Sequence, residues 1–153
     1  MWTYNSVFYQ IYPIGFCGAP VHNDGVTVPR IRKIMEWSDY LKDLGVDSIL
    51  LNPIFDSDNH GYDTRDFRKI DCRLGTNEDF SDVCKDLHDH DIKIVLDGVF
   101  NHVGVAFGPF VMSRKRNGTL HIRIGSTLVL MVTVVITMGS GMKDGKDILN
   151  WSN

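Results

Sequence analysis

The chain has 153 residues, of which 43% are hydrophobic and 23% charged, and its formal net charge is −3. This length suits one modest domain with a hydrophobic core, and the composition excludes wholesale disorder. The acidic balance argues against a general nucleic-acid-binding protein, which carries a basic excess. We also expect no membrane segment, because the longest apolar run, residues 128–138, is shorter than the roughly 18 residues that a spanning helix needs.

The N-terminus and the cysteines both favour a cytoplasmic protein. The first ten residues, MWTYNSVFYQ, lack the basic segment and apolar core of a signal peptide. The three cysteines, Cys17, Cys72 and Cys84, are an odd number without a CxxC pair. We therefore predict reduced thiols and no disulfide framework.

The start of the chain predicts a strand followed by a helix. Residues 6–16, SVFYQIYPIGF, are rich in aromatic and β-branched residues, which is typical of a strand. Residues 28–45 predict a helix, because Pro29 suits its first turn and Gly45 can take the left-handed conformation that ends it. The predicted apolar face of this helix consists of Ile31, Ile34, Leu41 and Leu44.

A second strand, helix and strand follow. Residues 46–55 predict a short apolar strand, and residues 92–100 predict a strand with both faces covered. Between them, Thr76 is expected to cap a helix, with Asp79 as its partner in a capping box. The buried face of that helix is predicted to contain Phe80, Val83, Cys84 and Leu87.

This alternation predicts an α/β fold with a parallel sheet and right-handed crossovers. Three strands and two helices fit either an open doubly wound sheet or the first part of a closed (β/α)8 barrel. No GxGxxG or GxxxxGK[ST] motif follows any predicted strand, so the sequence does not support a nucleotide-phosphate site. Periodicity alone leaves the two architectures open.

Candidate functional residues follow the second and third strands. Tyr62 lies in the polar loop after the second strand, and the third strand leads to Asp97, Asn101 and His102. In α/β proteins function gathers at the carboxyl ends of strands, and an aromatic ring beside carboxylates and amides suits a sugar. The alternatives are an ordinary loop aromatic for Tyr62 and a structural carboxylate for Asp97.

The histidines invite a metal interpretation, but their spacing argues against one. His88 and His90 are two residues apart on a predicted helix and so point about 200° apart. Because they cannot share one ion, we expect no zinc site there.

Four segments give a more specific signal: VFYQIYPIGF, YLKDLGVDSILLNPIF, HGYDTRDFRKIDCRLGT and IKIVLDGVFNH. In order and spacing they resemble the alpha-amylase family of glycoside hydrolases, and most of all its neopullulanase- and cyclomaltodextrinase-like members. The resemblance covers residues 6 to about 104. It implies the N-terminal portion, about three βα units, of a (β/α)8 barrel. It also implies a retaining hydrolase that acts on the α-glucosidic bonds of maltooligosaccharides or α-glucans.

The resemblance also implies roles for particular residues. Tyr62 would stack on the sugar at the cleaved bond, Asp63 would help to hold that sugar, and His102 would hydrogen-bond it. Asp97 would support the site from the third strand. Asn101 matches the position that binds calcium in calcium-containing members, and no other cofactor is expected.

The chain departs from the family at two places and stops short of its catalytic residues. Cys72 replaces the usual proline, and residues 17–30 lack the acidic calcium-binding pattern of some relatives, so no metal is expected in that loop. The family's nucleophile, acid and third carboxylate lie on strands four, five and seven, whereas this chain reaches strand three. We therefore predict no catalytic residue and an inactive chain. The alternatives are a non-catalytic carbohydrate-binding fragment and a self-contained small α/β protein.

Residues 108–153 do not resemble the family, and we expect them to be a poorly ordered, out-of-frame tail after a partial barrel at 1–107. The shifted reading frame can be examined from the protein sequence. Each shifted codon consists of the third base of one codon and the first two bases of the next, and this rule limits the amino acid that it encodes. At Met131–Val132, Met138–Gly139 and Met142–Lys143 this rule gives Gly, Gly and Glu, whatever codons were used. From Thr119 to Val132 it permits SPYKDWFHLGFDG, which resembles the sequence that the family carries after DGVFNHVG. One base lost near Phe107 would explain the change.

Overall fold

The computed structural model describes residues 2–100, which hold five strands and three α-helices. The strands are β1 (Phe8–Ile11), β2 (Ser48–Leu51), β3 (Phe55–Ser57), β4 (Thr64–Ile70) and β5 (Lys93–Leu96). The helices are α1 (Pro13–Phe16), α2 (Ser38–Asp43) and α3 (Asn77–Asp89), and the 3-10 helices are Trp2–Asn5 and Arg30–Trp37.

Three strands form a parallel sheet in the order β1–β2–β5, so strands that follow one another along the α/β pattern are neighbours in space. Ile11 pairs with Leu51, and Leu51 pairs with Leu96, so the three strands end at one level. With right-handed crossovers, this order puts both connecting helical segments on the same face of the sheet. This winding fits an arc of a barrel, and it also fits one half of a doubly wound sheet. The structure therefore confirms the predicted α/β fold with a parallel sheet.

The hydrophobic core lies between the helices and one face of this sheet. Alternate side chains of each strand point to this outer face. They are buried, together with the apolar faces of the helical segments; the set is Ile11, Ile31, Ile34, Leu41, Ile49, Leu51, Phe80, Val83, Leu87, Ile94 and Leu96. The opposite, inner face is less covered, and Phe8 on it is 42% exposed.

The helix predicted over residues 28–45 is instead a 3-10 helix followed by the short helix α2. Ile31, Ile34 and Trp37 recur at intervals of three, which matches the three residues per turn of a 3-10 helix. Gly45 ends the segment with a φ of +79°, as predicted. The predicted burial of Leu44 is wrong, because it lies beyond the last turn and is 53% exposed.

The predicted strand over residues 6–16 is too long. It ends at Ile11, and α1 begins at Pro13. Proline is favoured at the first helical position because it has no N–H to donate. The observed strands β2 and β5 are likewise shorter than the strands predicted over residues 46–55 and 92–100.

The loop after β2 contains an antiparallel hairpin, β3–β4, that the sequence did not predict. Helix α3 follows it and confirms the predicted cap. The Thr76 hydroxyl accepts from the Asp79 amide, and the Asp79 carboxylate accepts from the Thr76 amide. The four predicted apolar side chains of this helix are buried.

Cys17, Cys72 and Cys84 are free thiols, as predicted. Among residues 2–100, no helix has the length and apolar character needed to cross a membrane. The predictions for Asn101, His102 and the tail 108–153 lie outside the described residues.

Candidate functional site

Three side chains form a row along the carboxyl edge of the parallel sheet: Tyr12, Asn52 and Asp97. The Asn52 amide donates to the Ile11 carbonyl at 2.9 Å, and the Asp97 amide donates to the Leu51 carbonyl at 2.9 Å. The ladder therefore continues one residue past each strand, and residues at the same level of parallel strands face the same side. Tyr12, with an extended backbone, occupies that level after β1.

Asn52 connects this row to Tyr62. Its side-chain nitrogen Nδ2 lies 2.5 Å from the Tyr62 hydroxyl oxygen and 3.5 Å from Asp97 Oδ2. The structure thus brings together Tyr62 and Asp97, two of the residues selected from the sequence. Asn52 lies within the second predicted strand, and sequence reasoning missed its role at the site.

A tight turn before Tyr62 sets the position of its ring. Gly61 has a φ of +91°, and a Cβ atom there would lie 2.9 Å from the Pro53 carbonyl oxygen. The Tyr62 amide then donates to His60 Nδ1 at 3.2 Å. Only glycine combines this conformation with this close approach, so the turn holds Tyr62 above the sheet edge.

Asp63 ties the same loop together. Its carboxylate accepts from Asn59 Nδ2 at 2.9 Å and from the His60 amide at 3.2 Å. Burial raises the pKa of Asp63, but the hydrogen bonds from Asn59, with a smaller contribution from His60, outweigh it, so the pKa lies below its usual range. Asp63 is therefore a carboxylate at neutral pH and retains free lone pairs for another donor.

The Tyr62 hydroxyl stays protonated at neutral pH. Burial raises its pKa most; the hydrogen bond from Asn52 lowers it, and the negative charge of Asp97 raises it again. A neutral phenol beside a carboxylate offers a flat apolar ring and a polar tip, the two features that sugar recognition needs.

Two further rings lie beside Tyr62. The Tyr12 hydroxyl donates to the His60 carbonyl at 3.1 Å, and the His60 and Tyr62 rings are 6.0 Å apart at 40°. Tyr12 is 40% exposed at the strand edge. The site is thus an open, aromatic-lined edge with amide and carboxylate groups at its base.

A buried ion pair supports the loops from below. Arg73 and Asp71 have side-chain exposures of 0% and 1%, and Arg73 Nε and Nη2 donate to the two oxygens of Asp71 at 2.8 and 2.6 Å. Asp71 also accepts from the amide and hydroxyl of Ser57. This bidentate geometry satisfies a pair that would otherwise be costly to bury.

The remaining donor of Arg73 joins two loops. Its Nη1 donates to the carbonyls of Pro20, Val21 and Asn59 at 2.6–2.9 Å. The loop after β1 is thereby fixed to the loop that carries Asp63. Sequence reasoning missed Arg73. The available signal was a charged pair two residues apart within an otherwise apolar stretch before the α3 cap.

Among residues 2–100, Asp56, Asp71 and Cys72 have potential metal-ligand atoms within 4.8 Å of one another. The group does not suit a metal ion, because Asp71 already holds the Arg73 guanidinium, which would repel a cation. Asn23 fills the rest of this region: its Nδ2 donates to Asp56 and its Oδ1 accepts from Cys72 Sγ at 3.2 Å.

The sequence profile of the alpha-amylase catalytic domain matches residues 10–121. The chain belongs to the alpha-amylase family. It is 45% identical over 116 residues to an oligo-1,6-glucosidase of Heyndrickxia coagulans, a match over 74% of this chain and 20% of that protein. It is 37% identical over 134 residues to a maltogenic alpha-amylase of Bacillus acidopullulyticus, over 76% of this chain and 23% of that one.

The fold agrees with solved structures of alpha-amylase family members. An isomaltulose synthase mutant of Erwinia rhapontici NX5, crystallised with D-glucose, matches with a TM-score of 0.63 and 37% identity. The match covers 74% of this chain and 20% of that one. The described residues are therefore the opening segment of the family's (β/α)8 barrel, and the chain spans about one fifth of the length of the relatives it matches.

Proposed function

We propose that the chain is the N-terminal portion of a retaining glycoside hydrolase that acts on α-glucosidic bonds of maltooligosaccharides or α-glucans. The observation that carries the proposal is the contact of Asn52 with both Tyr62 and Asp97 at the carboxyl edge of the sheet. This contact assembles an aromatic platform and a carboxylate from two separate loops, where barrel enzymes hold their substrates.

In this proposal Tyr62 stacks on the apolar face of a glucose unit. Asp63 holds the same sugar through the lone pairs that its loop leaves free, and Asp97 supports the base of the site. His102 hydrogen-bonds the sugar, and Asn101 contributes to a calcium site in a full-length protein. These last two roles rest on the family resemblance, because both residues lie outside the described part of the chain.

We further propose that the chain alone is inactive. Retention needs a nucleophile and an acid whose carboxyl groups are about 5–5.5 Å apart on either side of the bond. The row at the sheet edge supplies one carboxylate, Asp97, and in this proposal Asp63 holds the sugar and does not act as nucleophile or acid. This same arrangement favours a second candidate, a carbohydrate-binding fragment without chemistry.

Residues 108–153 are proposed to be the family's coding sequence translated in a shifted frame, as the codon junctions indicate. Sequencing the coding DNA across Phe107 tests this. Restoring one base should encode Trp, Ala and Phe directly after Phe107, followed by a sequence similar to that of the family. DNA whose shifted frame contains stop codons or unrelated text would contradict it.

Sugar binding is tested by titrating the 153-residue chain with maltotriose and comparing Tyr62→Ala. Loss of the stacking ring should weaken binding at least tenfold. Tyr4→Ala is the matched control, since Tyr4 is 83% exposed in the 3-10 helix before β1. Equal affinities of the two variants would exclude Tyr62 from the sugar site.

A further inference from the structure

A second amide lies beneath the site. Gln10 precedes Tyr12 by two residues, so both side chains point to the inner face of the sheet. Gln10 Nε2 donates to Asn52 Oδ1 at 2.8 Å. Gln10 therefore contacts Asn52, whose amide contacts both Tyr62 and Asp97.

The network determines which way the Asn52 amide points. A carboxylate can only accept, so the donor nitrogen of Asn52 must face Asp97 and the Tyr62 hydroxyl. Its oxygen then faces the Gln10 donor. Each of the two Nδ2 hydrogens has an acceptor, and the Oδ1 atom has a donor, so every group of this half-buried amide is used.

We infer that Gln10 and Asn52 are positioning residues that set the Tyr62 ring and the Asp97 carboxylate at the separation a sugar requires. This inference rests on the proposed function. The Asn52 backbone is fixed by its bond to the Ile11 carbonyl, so its side chain is held to the sheet. Tyr62 lies on a loop, and a hydrogen bond to a sheet residue gives its tip a fixed reference point. Preorganisation of this kind lowers the entropy that binding would otherwise cost.

Electrostatics also favour an uncharged amide at position 52 over a carboxylate. Its neighbours are the amide of Gln10 from β1, the phenol of Tyr62 from the loop and the carboxylate of Asp97 after β5. Asn52→Asp keeps the shape but places a second negative charge beside Asp97. Two adjacent carboxylates cannot both ionise easily, so the pair should take up a proton as the pH falls.

The test compares Asn52→Ala, Asn52→Asp and Gln10→Ala in the 153-residue chain, with Asn5→Ala as a control at an exposed amide outside the site. Each variant is first checked for native circular dichroism. The first measurement needs no sugar: the ¹³Cζ resonance of Tyr62, assigned with Tyr62→Phe, is followed against pH. Its titration should move to higher pH in Asn52→Ala, since the donor that favours the phenolate is lost, and should be unchanged in Asn5→Ala.

The second measurement is maltotriose affinity. We expect about a tenfold loss in Asn52→Ala and a smaller loss in Gln10→Ala, as for a hydrogen bond whose removal costs roughly one order of magnitude in an equilibrium constant. Asn52→Asp should bind weakly at pH 8 and recover at pH 5, where a shared proton restores a donor. Asn52→Ala should not recover.

The outcomes separate this inference from the proposed function. If the chain does not bind maltotriose but the Tyr62 resonance responds to Asn52→Ala, the sugar proposal fails and the positioning role stands. If maltotriose binds through Tyr62 while all three variants bind and titrate like the unaltered chain, the positioning role is wrong. A loss of maltotriose affinity in Asn52→Asp that is the same at pH 8 and pH 5 would also overturn the positioning role.

Discussion

At the scale of single residues, the site depends on backbone and charge constraints beneath the side chains that would touch a ligand. Gly61 permits the turn that presents Tyr62, and Arg73 joins the loop after β1 to the loop that carries Asp63. Neither residue is expected to contact a sugar. Their effects should therefore appear in stability as well as in binding.

Gly61→Ala should destabilise the chain by about 1–3 kcal/mol, because a side chain would combine a left-handed backbone with a clash against the Pro53 carbonyl. Urea unfolding measures this. Gly25→Ala is a matched control, since Gly25 has a φ of +73° but open space around its Cβ position. Equal losses for the two variants would show that the contact with Pro53 is unimportant.

Arg73→Met should cost about 3–5 kcal/mol, because it leaves the buried Asp71 carboxylate without its partner. Arg32→Met is the control and should cost much less, because that arginine pairs with Asp79 and Asp82 but is itself 45% exposed. Chemical denaturation compares the two. The double variant Asp71→Asn/Arg73→Met should lose less than the sum of its single variants, since the two side chains are coupled.

At the scale of secondary structure, helix α3 is the element that the sequence predicts best and that most closely joins its neighbours. Its first turn holds the capping box, and Arg32 from the 3-10 helix donates to Asp79 at 2.6 Å. Further along, the Ser38 hydroxyl at the start of α2 donates to Asp86. The two helical segments are thus fixed to each other at both ends of their contact.

Asp79 should make the stability of this contact depend on pH. Burial raises its pKa, but the hydrogen bonds from Arg32 and Thr76 outweigh it, so the folded pKa lies below the ordinary value of 3.8. The stabilisation is therefore complete above about pH 4 and is lost as the pH falls through the folded pKa.

Asp79→Asn should lower the free energy of unfolding by about 1 kcal/mol at pH 7, the usual contribution of a cap, and by less at pH 3. Urea unfolding at several pH values measures the difference. Glu78→Gln, an exposed acid in the same turn, serves as control. A loss in Asp79→Asn that stays constant between pH 7 and pH 3 would contradict the proposed role of its ionised form.

At the scale of the whole molecule, three parallel strands form one arc of a barrel. Aromatic side chains on its inner face are partly exposed: Phe8 is 42% and Tyr12 40% exposed. The chain spans about one fifth of the length of its relatives. Under the proposed function, an arc of this size presents one side of a sugar site, and Asp97 alone cannot supply both carboxyl groups that retention needs.

We expect the purified chain to show no hydrolysis of maltotriose above the buffer blank. The assay measures glucose release over several hours, with a commercial α-glucosidase as positive control. Turnover that survives Asp97→Asn would show that carboxylates outside the row at the sheet edge catalyse the reaction. Turnover abolished by that variant would place the catalytic centre at Asp97 itself.

Local patterns were sufficient for the elements whose signals lie close together in the chain. The Thr76–Asp79 cap and the left-handed Gly45 need only a few neighbouring residues, and both were predicted. The extended motifs likewise indicated the family and selected Tyr62, Asp63 and Asp97. The 3-10 helix at Arg30–Trp37 and the β3–β4 hairpin were missed. Their form depends on packing against distant segments.

By itself, therefore, the sequence determined the strand–helix–strand–helix–strand order around the parallel sheet, the barrel family and the residue types of the proposed sugar site. Only the tertiary structure decided that both connecting helical segments cover one face of the parallel sheet. It also showed that the buried Arg73 joins two loops, and that Gln10 and Asn52 lie under Tyr62. The physical reason is sequence distance. Gln10 and Asn52 are 42 residues apart, and Asn52 and Asp97 are 45 apart. Such contacts arise from strand register, which no local pattern specifies.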